Sequence, residues 1–129
     1  MRPILADSSW YIAEARNRRD PLLSLSDLSL SRDIATCGLI MTEVGRGIRH
    51  PNALKRYTEA WSVMRYVPSN QQVWQDTLAL AWQLDRNGHP LPLQDIHIAA
   101  CARSINAVIL TNDAHFQDIP GIDATERIF

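Results

Sequence analysis

The chain has 129 residues, the size of one compact domain, and 46% of them are apolar, enough to bury a continuous core without a staple. A formal charge of −1 excludes a polyanion binder working through net charge, so any contact with nucleic acid has to come from a local basic patch. Cys37 and Cys101 have no metal-like spacing and are expected as buried, reduced thiols; the apolar run before Asp7 is too short for a signal peptide or a membrane span, which points to the cytoplasm.

Pro3 to Ala6 is short and apolar, the pattern of a buried strand closed by Asp7. Ser8 and Ser9 are good N-caps for a helix over about Trp10 to Arg18, which Asp20-Pro21 breaks. Arg32 to Arg49 carries Ile34, Leu39, Ile40, Val44 and Ile48 at broadly helical spacing. Cys37-Gly38 leaves the first half of that stretch open, and Pro51 stops it. A second amphipathic helix is expected over Asn52 to Met64, with Leu54, Tyr57, Trp61 and Met64 on one face. Tyr66 to Pro68 suits a short strand. Ser69 or Asn70 then caps a helix through Val73, Leu78, Leu80, Trp82 and Leu84 that ends at Asn87-Gly88. Leu93 to Ser104 is apolar almost all round and is expected to be a buried helix ended by Asn106. Ala107 to Leu110 has the composition of a strand buried on both faces, and Ala124 to Phe129 that of an edge strand. Strands alternating with helices predict one domain over residues 1–129: a three-layer α/β/α sandwich around a mainly parallel sheet.

In an open parallel sheet, chemistry collects beyond the carboxyl ends of the strands. Asp7 ends the first strand there. Asp95 starts a helix that runs away from this edge, and the strand Ala107 to Leu110 returns to it. Twelve or so helical residues at about 1.5 Å and five or so strand residues at about 3.3 Å cover similar distances. Asp95 and Asp113 are therefore expected to meet beside Asp7. Each acid also has a plainer reading: Asp95 as a helix-start residue favouring the macrodipole, and Asp113 as a turn or cap residue. A carboxylate ending a buried strand is harder to explain that way. Glu43 beside Arg46 reads by itself as a solvated surface pair.

Four segments together resemble PIN-domain ribonucleases. They are Asp7-Ser8-Ser9 after its strand, Thr42-Glu43-Val44-Gly45-Arg46-Gly47, Leu93-Gln94-Asp95 with the Ala-rich helix through Ala102, and Ala107 to Leu110 closing on Thr111-Asn112-Asp113-Ala114-His115-Phe116. They occur in the family's order and span nearly the whole chain. Ser8 stands where many members carry Thr, and both supply a hydroxyl. Size and layout are most similar to the VapC-like toxins of toxin–antitoxin pairs. That resemblance implies an RNA-cleaving toxin, a homodimer, and a small antitoxin partner covering the acidic pocket.

Four carboxylates at one edge repel one another unless a proton or a cation intervenes. A hard divalent ion fits an all-oxygen set, Mg²⁺ first and Mn²⁺ also. Asp7, Asp95 and Asp113 are assigned to the metal, and Glu43 to binding it or orienting a water. Ser9 and Thr111 are supporting hydroxyls. Arg16, Arg18 and Arg19 are read equally as RNA phosphate contacts or as a solvated helix end, and Arg46 and Arg49 are further candidates. Trp10 and Tyr11 fit the core better than a partner groove. His50, His89, His97 and His115 show no zinc-ligand spacing; His97 reads as a satisfied helix histidine, while His115 is in reach of a substrate. No G-x-S-x-G elbow or Gly-rich phosphate loop offers a competing chemistry. The rival readings are a silent RNA- or partner-binding module of the same fold, and a metal-dependent DNA nuclease or phosphatase. No residue decides between RNA and DNA.

Overall fold

The computed structural model describes residues 1–128, so the expected terminal strand is testable except at Phe129, which lies outside them. Five parallel strands form a single sheet: β1 (Ile4–Ala6), β2 (Ile34–Cys37), β3 (Arg65–Val67), β4 (Val108–Leu110) and β5 (Ala124–Thr125), in the order β3-β2-β1-β4-β5. β1 is central, with Ile4, Leu5 and Ala6 wholly buried, as expected of a strand covered on both faces. Six helices cover the sheet: α1 (Ser8–Arg16), α2 (Pro21–Leu28), α3 (Gly38–Gly45), α4 (Pro51–Ser62), α5 (Gln71–Arg86) and α6 (Leu93–Ser104). The chain moves from β1 outward to β3 through α1–α4 and then crosses back to β4 through α5 and α6. With right-handed crossovers this puts α1–α4 on one face and α5–α6 on the other, giving the α/β/α sandwich.

Several boundaries differ from the expectation for local reasons. The cap of α1 is Asp7 itself, whose carboxylate accepts from the Ser9 amide, so Ser8 and Ser9 lie inside the helix. Asp20-Pro21 breaks α1 but also starts α2, with Asp20 accepting from the Leu22 amide and Pro21 in the first turn, where a missing N–H costs nothing. The stretch from Arg32 divides at Cys37-Gly38 into β2 and α3, so Ile34 belongs to a strand and Ile40 to a helix. Asn70, not Ser69, caps α5 by accepting from the Val73 amide. Pro51 starts α4.

Two helix ends on the α5–α6 face close alike. Gly88 (φ +77°) and Asn106 (φ +54°) take the left-handed conformation just past α5 and α6. The next amides, of His89 and Ala107, reach back to Leu84 O and Ala102 O. The second closure turns the chain directly into β4 and so returns it to the carboxyl edge.

Trp10 and Tyr11 are core residues. Tyr11 packs in an aromatic cluster with Trp10, Tyr57 and Trp61, accepts a hydrogen bond from Trp61 Nε1, and has its hydroxyl pushed up to about 12 by burial. The partner-groove alternative for this pair is thereby corrected. Both cysteines are buried and unpaired. Among the described residues no helix is long and apolar enough to cross a membrane.

Candidate active site

The carboxyl ends of β1 and β4, the first turns of α1 and α6 and the second turn of α3 frame one acidic edge. Asp7 follows β1 directly and is 2% exposed. A carboxylate this buried needs donors, and it has them: the Ser9 amide (3.3 Å), Ser9 Oγ (2.8 Å) and Thr111 Oγ1 (3.1 Å), all on Oδ2. Oδ1 has no protein hydrogen bond among the described residues. Ser9 Oγ and Thr111 Oγ1 also lie 2.9 Å apart and accept from the amides of Asn112 and Asp113. Two hydroxyl protons serve three oxygen contacts, so the pair ties α1 to the end of β4 whichever way they point.

Glu43 sits on α3, where Ser8 Oγ approaches its Oε1 at 3.5 Å. Its carboxyl is held above the usual range by burial, then by the negative charges of Asp7 and Asp95. Arg46, three residues on, pulls the other way. Asp95, in the first turn of α6, is 13% exposed. It too is raised, by burial first and then by Asp113 and Asp7, against a hydrogen bond from His115. Asp113 caps a short 3₁₀ turn, Ala114–Asp118, by accepting from the His115 amide at 2.9 Å. His115 Nδ1 lies 2.8 Å from Asp95 Oδ2 and 3.2 Å from Asp113 Oδ1, and these two acids hold its pKa above the ordinary imidazole value.

The structure therefore brings Asp7, Glu43, Asp95 and Asp113 into one electrostatic group, with Ser9 and Thr111 bracing Asp7. It does not bring the first arginine group there. Arg16 ends α1, about 12 Å along the axis from Ser8. Arg18 and Arg19 lie beyond it, and Arg19 is bonded to Glu14 at 3.0 Å. Arg46 follows α3 directly and acts on Glu43, while Arg49 lies three residues further along and is exposed.

Sequence reasoning put His115 in reach of a substrate but did not join it to the acids, although its position two residues after Asp113 was legible. It also left open what holds α6 in place. His97, 4% exposed, bridges Ser69 Oγ (2.8 Å) and Thr77 Oγ1 (3.0 Å) and stacks on Trp74 at 4.0 Å. Thr77 donates its proton to Val73 O, so His97 Nδ1–H donates to Thr77 and Nε2 accepts from Ser69. Burial lowers the pKa of this imidazole and keeps it neutral. The clamp fixes α6 against α5 two residues from Asp95.

A family model described as the PIN domain matches residues 4–122. The chain belongs to the PIN domain family. By sequence it matches no curated protein. Among solved structures it is similar to VapBC2 from Rickettsia felis bound to a promoter DNA fragment, at 17% identity and TM-score 0.78, over 95% of this chain and 97% of that one. It is similar also to DNA-bound VapBC from Salmonella typhimurium, at 23% identity and TM-score 0.77, over 97% and 98%. A third is VapC20 of Mycobacterium tuberculosis, a toxin that cleaves the sarcin–ricin loop, at 16% identity and TM-score 0.63, over 93% and 98%. These likenesses fix the fold. The PIN fold and the acidic edge coincide in this chain.

Proposed function

We propose that this PIN-domain chain is a metal-dependent endoribonuclease, the toxin of a toxin–antitoxin pair, acting in the cytoplasm. The observation that carries this reading is the group of four carboxylates at the carboxyl edge of a parallel sheet, two of them raised by burial and then by the charge of the others. Such an arrangement is costly without a cation. The donor set fits a hard divalent ion: Asp7 through its open Oδ1, Asp95 and Asp113 would hold Mg²⁺ or Mn²⁺. When bound, the ion supplies charge stabilisation for a phosphodiester under attack and makes water more acidic. Glu43, with its raised carboxyl, is suited to accept a proton from the attacking water. Ser9 and Thr111 hold Asp7 in place through its Oδ2. Arg46 and Arg49 are placed for RNA phosphates.

The reading includes two protein partners. The solved VapBC complexes are toxin with antitoxin, which supports a small antitoxin for this chain. A homodimer is supported by an uncovered apolar row on α5: Trp74, Leu78 and Trp82, at successive four-residue steps, are 50%, 69% and 59% exposed. Leu93 lies nearby at 57%. The flanking Gln71, Gln75, Ala79 and Gln83 bring no charge, and the cation at the end of the row is Arg86, 4.8 Å over the Trp82 ring. The row up to Leu78 can meet its own copy across a twofold axis without like-charge repulsion.

The test is cleavage of RNA and of matched DNA by the purified chain with Mg²⁺, with Mn²⁺ and with excess EDTA. RNA cleavage lost in EDTA and restored by the ion is expected. Undiminished cleavage in EDTA sinks the metal mechanism, and cleavage of DNA alone sinks the substrate.

A further inference from the structure

We propose that His115 is itself a metal ligand, giving the site an O,O,N face that favours Mn²⁺ over Mg²⁺. This inference rests on the reading of the acidic edge as a divalent-metal site and goes beyond its four carboxylates.

The argument begins with placement. Ligand atoms of Asp95, Asp113 and His115 all lie within 4.8 Å of one another. Nδ1 of His115 is 2.8 Å from one carboxylate oxygen and 3.2 Å from the other. Two neighbouring donors in an octahedron with bonds of 2.0–2.1 Å stand √2 times that apart, roughly 2.9 Å. The nitrogen already stands near that separation from both acids.

The ring has no packing duty that would explain its position. Its side chain is 47% exposed, and Nε2 has no protein partner among the described residues. Its place is set from the backbone, because Asp113 caps the 3₁₀ turn through the His115 amide, while Phe116, wholly buried, anchors the same turn in the core. The turn thus presents Asp113 and His115 to Asp95 as a unit.

Ligand chemistry then sets the preference. Magnesium binds carboxylate and water oxygens and gains little from imidazole, whereas transition ions accept imidazole nitrogen readily. An all-carboxylate edge would discriminate weakly between Mg²⁺ and Mn²⁺. Exchanging one oxygen donor for Nδ1 moves the site toward Mn²⁺.

The test uses the full chain at pH 8, with the fold of each protein checked by circular dichroism. Pulsed electron paramagnetic resonance of bound Mn²⁺ should show ¹⁴N modulation from a directly bound imidazole, and His115→Ala should abolish it. Calorimetric titration should show Mn²⁺ affinity falling about 10–100-fold in His115→Ala, with Mg²⁺ affinity changed by no more than about twofold. Mn²⁺ bound without ¹⁴N coupling overturns the proposal, as does coupling that survives His115→Ala or an equal loss of both ions. A native chain that binds neither ion overturns the metal reading itself, and this inference with it.

Discussion

The acidic edge and the outer face of α5 break the rules of a stable monomer in opposite directions. At the edge, charges are gathered where the sheet and three helices partly exclude water, and Glu43 and Asp95 hold their protons more tightly as a result. On α5, two tryptophans and a leucine stand in water while the opposite face of the helix buries Val73, Leu80 and Leu84 in the ordinary way. The first region lacks a positive charge and the second an apolar cover. Local departures of this kind, in a molecule consistent elsewhere, mark where binding is expected to supply the missing term. They also differ in what holds them. Asp7 is fixed by three hydrogen bonds from residues on two elements. The α5 row is tied to the rest of the fold at Trp74, which stacks on His97, so Leu78 at its centre is the residue easier to change without touching the fold.

The largest expected effect is at the edge. Asp7→Asn and Asp95→Asn each keep the side-chain shape and remove one charge from a repelling group. RNA cleavage should fall by at least about 10²–10³-fold, the usual loss for a group that stabilises the reacting charge. Without metal at pH 8, Asp95→Asn should melt higher than the native chain, since like charges about 4 Å apart near a surface repel by roughly 4 kcal/mol before screening. Asn is nearly as good as Asp near a helix start. Retained cleavage by a folded Asp95→Asn protein, with Mg²⁺ present, would return Asp95 to a helix-start role.

The α5 row comes next. Leu78→Glu places a charge at the centre of the row, and a twofold axis would bring two such charges together. The dimer dissociation constant should rise by about 30-fold or more, the effect of losing a central anchor worth about 2 kcal/mol. Sedimentation velocity over a concentration series reads this directly. A native chain that stays monomeric throughout removes the row's assigned cover, and the contrast between the two regions then loses one side.

These two regions were not equally legible in the sequence. Asp7, Asp95 and Asp113 could be gathered from connectivity, because a helix leaving an edge and a strand returning to it cover comparable lengths. Glu43 could not, because its position depends on where Arg32 to Arg49 divides. Helical periodicity ran through that segment, and only the sheet register of Ile34 and Ala35 against β1 shows that its first part is a strand. The helix α2 was hidden for a similar reason: a proline that ends one helix is also a good first residue for the next. On α5 the sequence offers apolar residues on two faces, Val73, Leu80 and Leu84 against Trp74, Leu78 and Trp82. Periodicity alone has no means of saying which stripe the sheet covers. The role of His115 depends on distances between side chains, which a sequence does not carry.

A smaller, pH-dependent effect tests the edge from the side of stability. Glu43 and Asp95 are raised above their ordinary 4.5 and 3.8, and His115 above its 6.5. The facing charges are Asp7, Asp113 and Asp118 on the raising side, with Arg46 opposing at Glu43. In each case the folded state binds its proton more tightly than the unfolded chain. The His115 contribution is fully present below 6.5 and lost as pH rises through its raised value. The penalty at the two carboxyls is relieved as pH falls through their raised values toward 4.5 and 3.8. Metal-free protein should therefore melt at a higher temperature at pH 5.5 than at pH 8, before Asp20, whose carboxyl Arg56 holds low, begins to act the other way. Saturating Mg²⁺ at pH 8 should close the gap. A melting temperature higher at pH 8 than at pH 5.5 without metal would mean that the four acids do not repel as a group.

The smallest effect concerns a third departure, in neither region. Arg18 takes φ +59° just past α1, in a closure like those at Gly88 and Asn106, with its amide bonded to Ala15 O and that of Arg19 to Glu14 O. A left-handed backbone conformation of this kind costs roughly 1–2 kcal/mol in a residue with a Cβ. Glycine removes that cost but adds freedom to the unfolded chain, worth about 0.5–1 kcal/mol. Arg18→Gly should therefore stabilise the protein by roughly 0–1 kcal/mol, a rise of a few degrees at most in thermal melting. Strain alone would suggest a functional site here, as it does elsewhere. Position argues against it, because Arg18 lies a full helix length from Asp7. Cleavage by Arg18→Gly should stay within about twofold of native, near the limit of a kinetic comparison. A much larger loss, with melting unchanged or raised, would make Arg18 a phosphate contact and extend the RNA-binding surface from the acidic edge along the whole of α1.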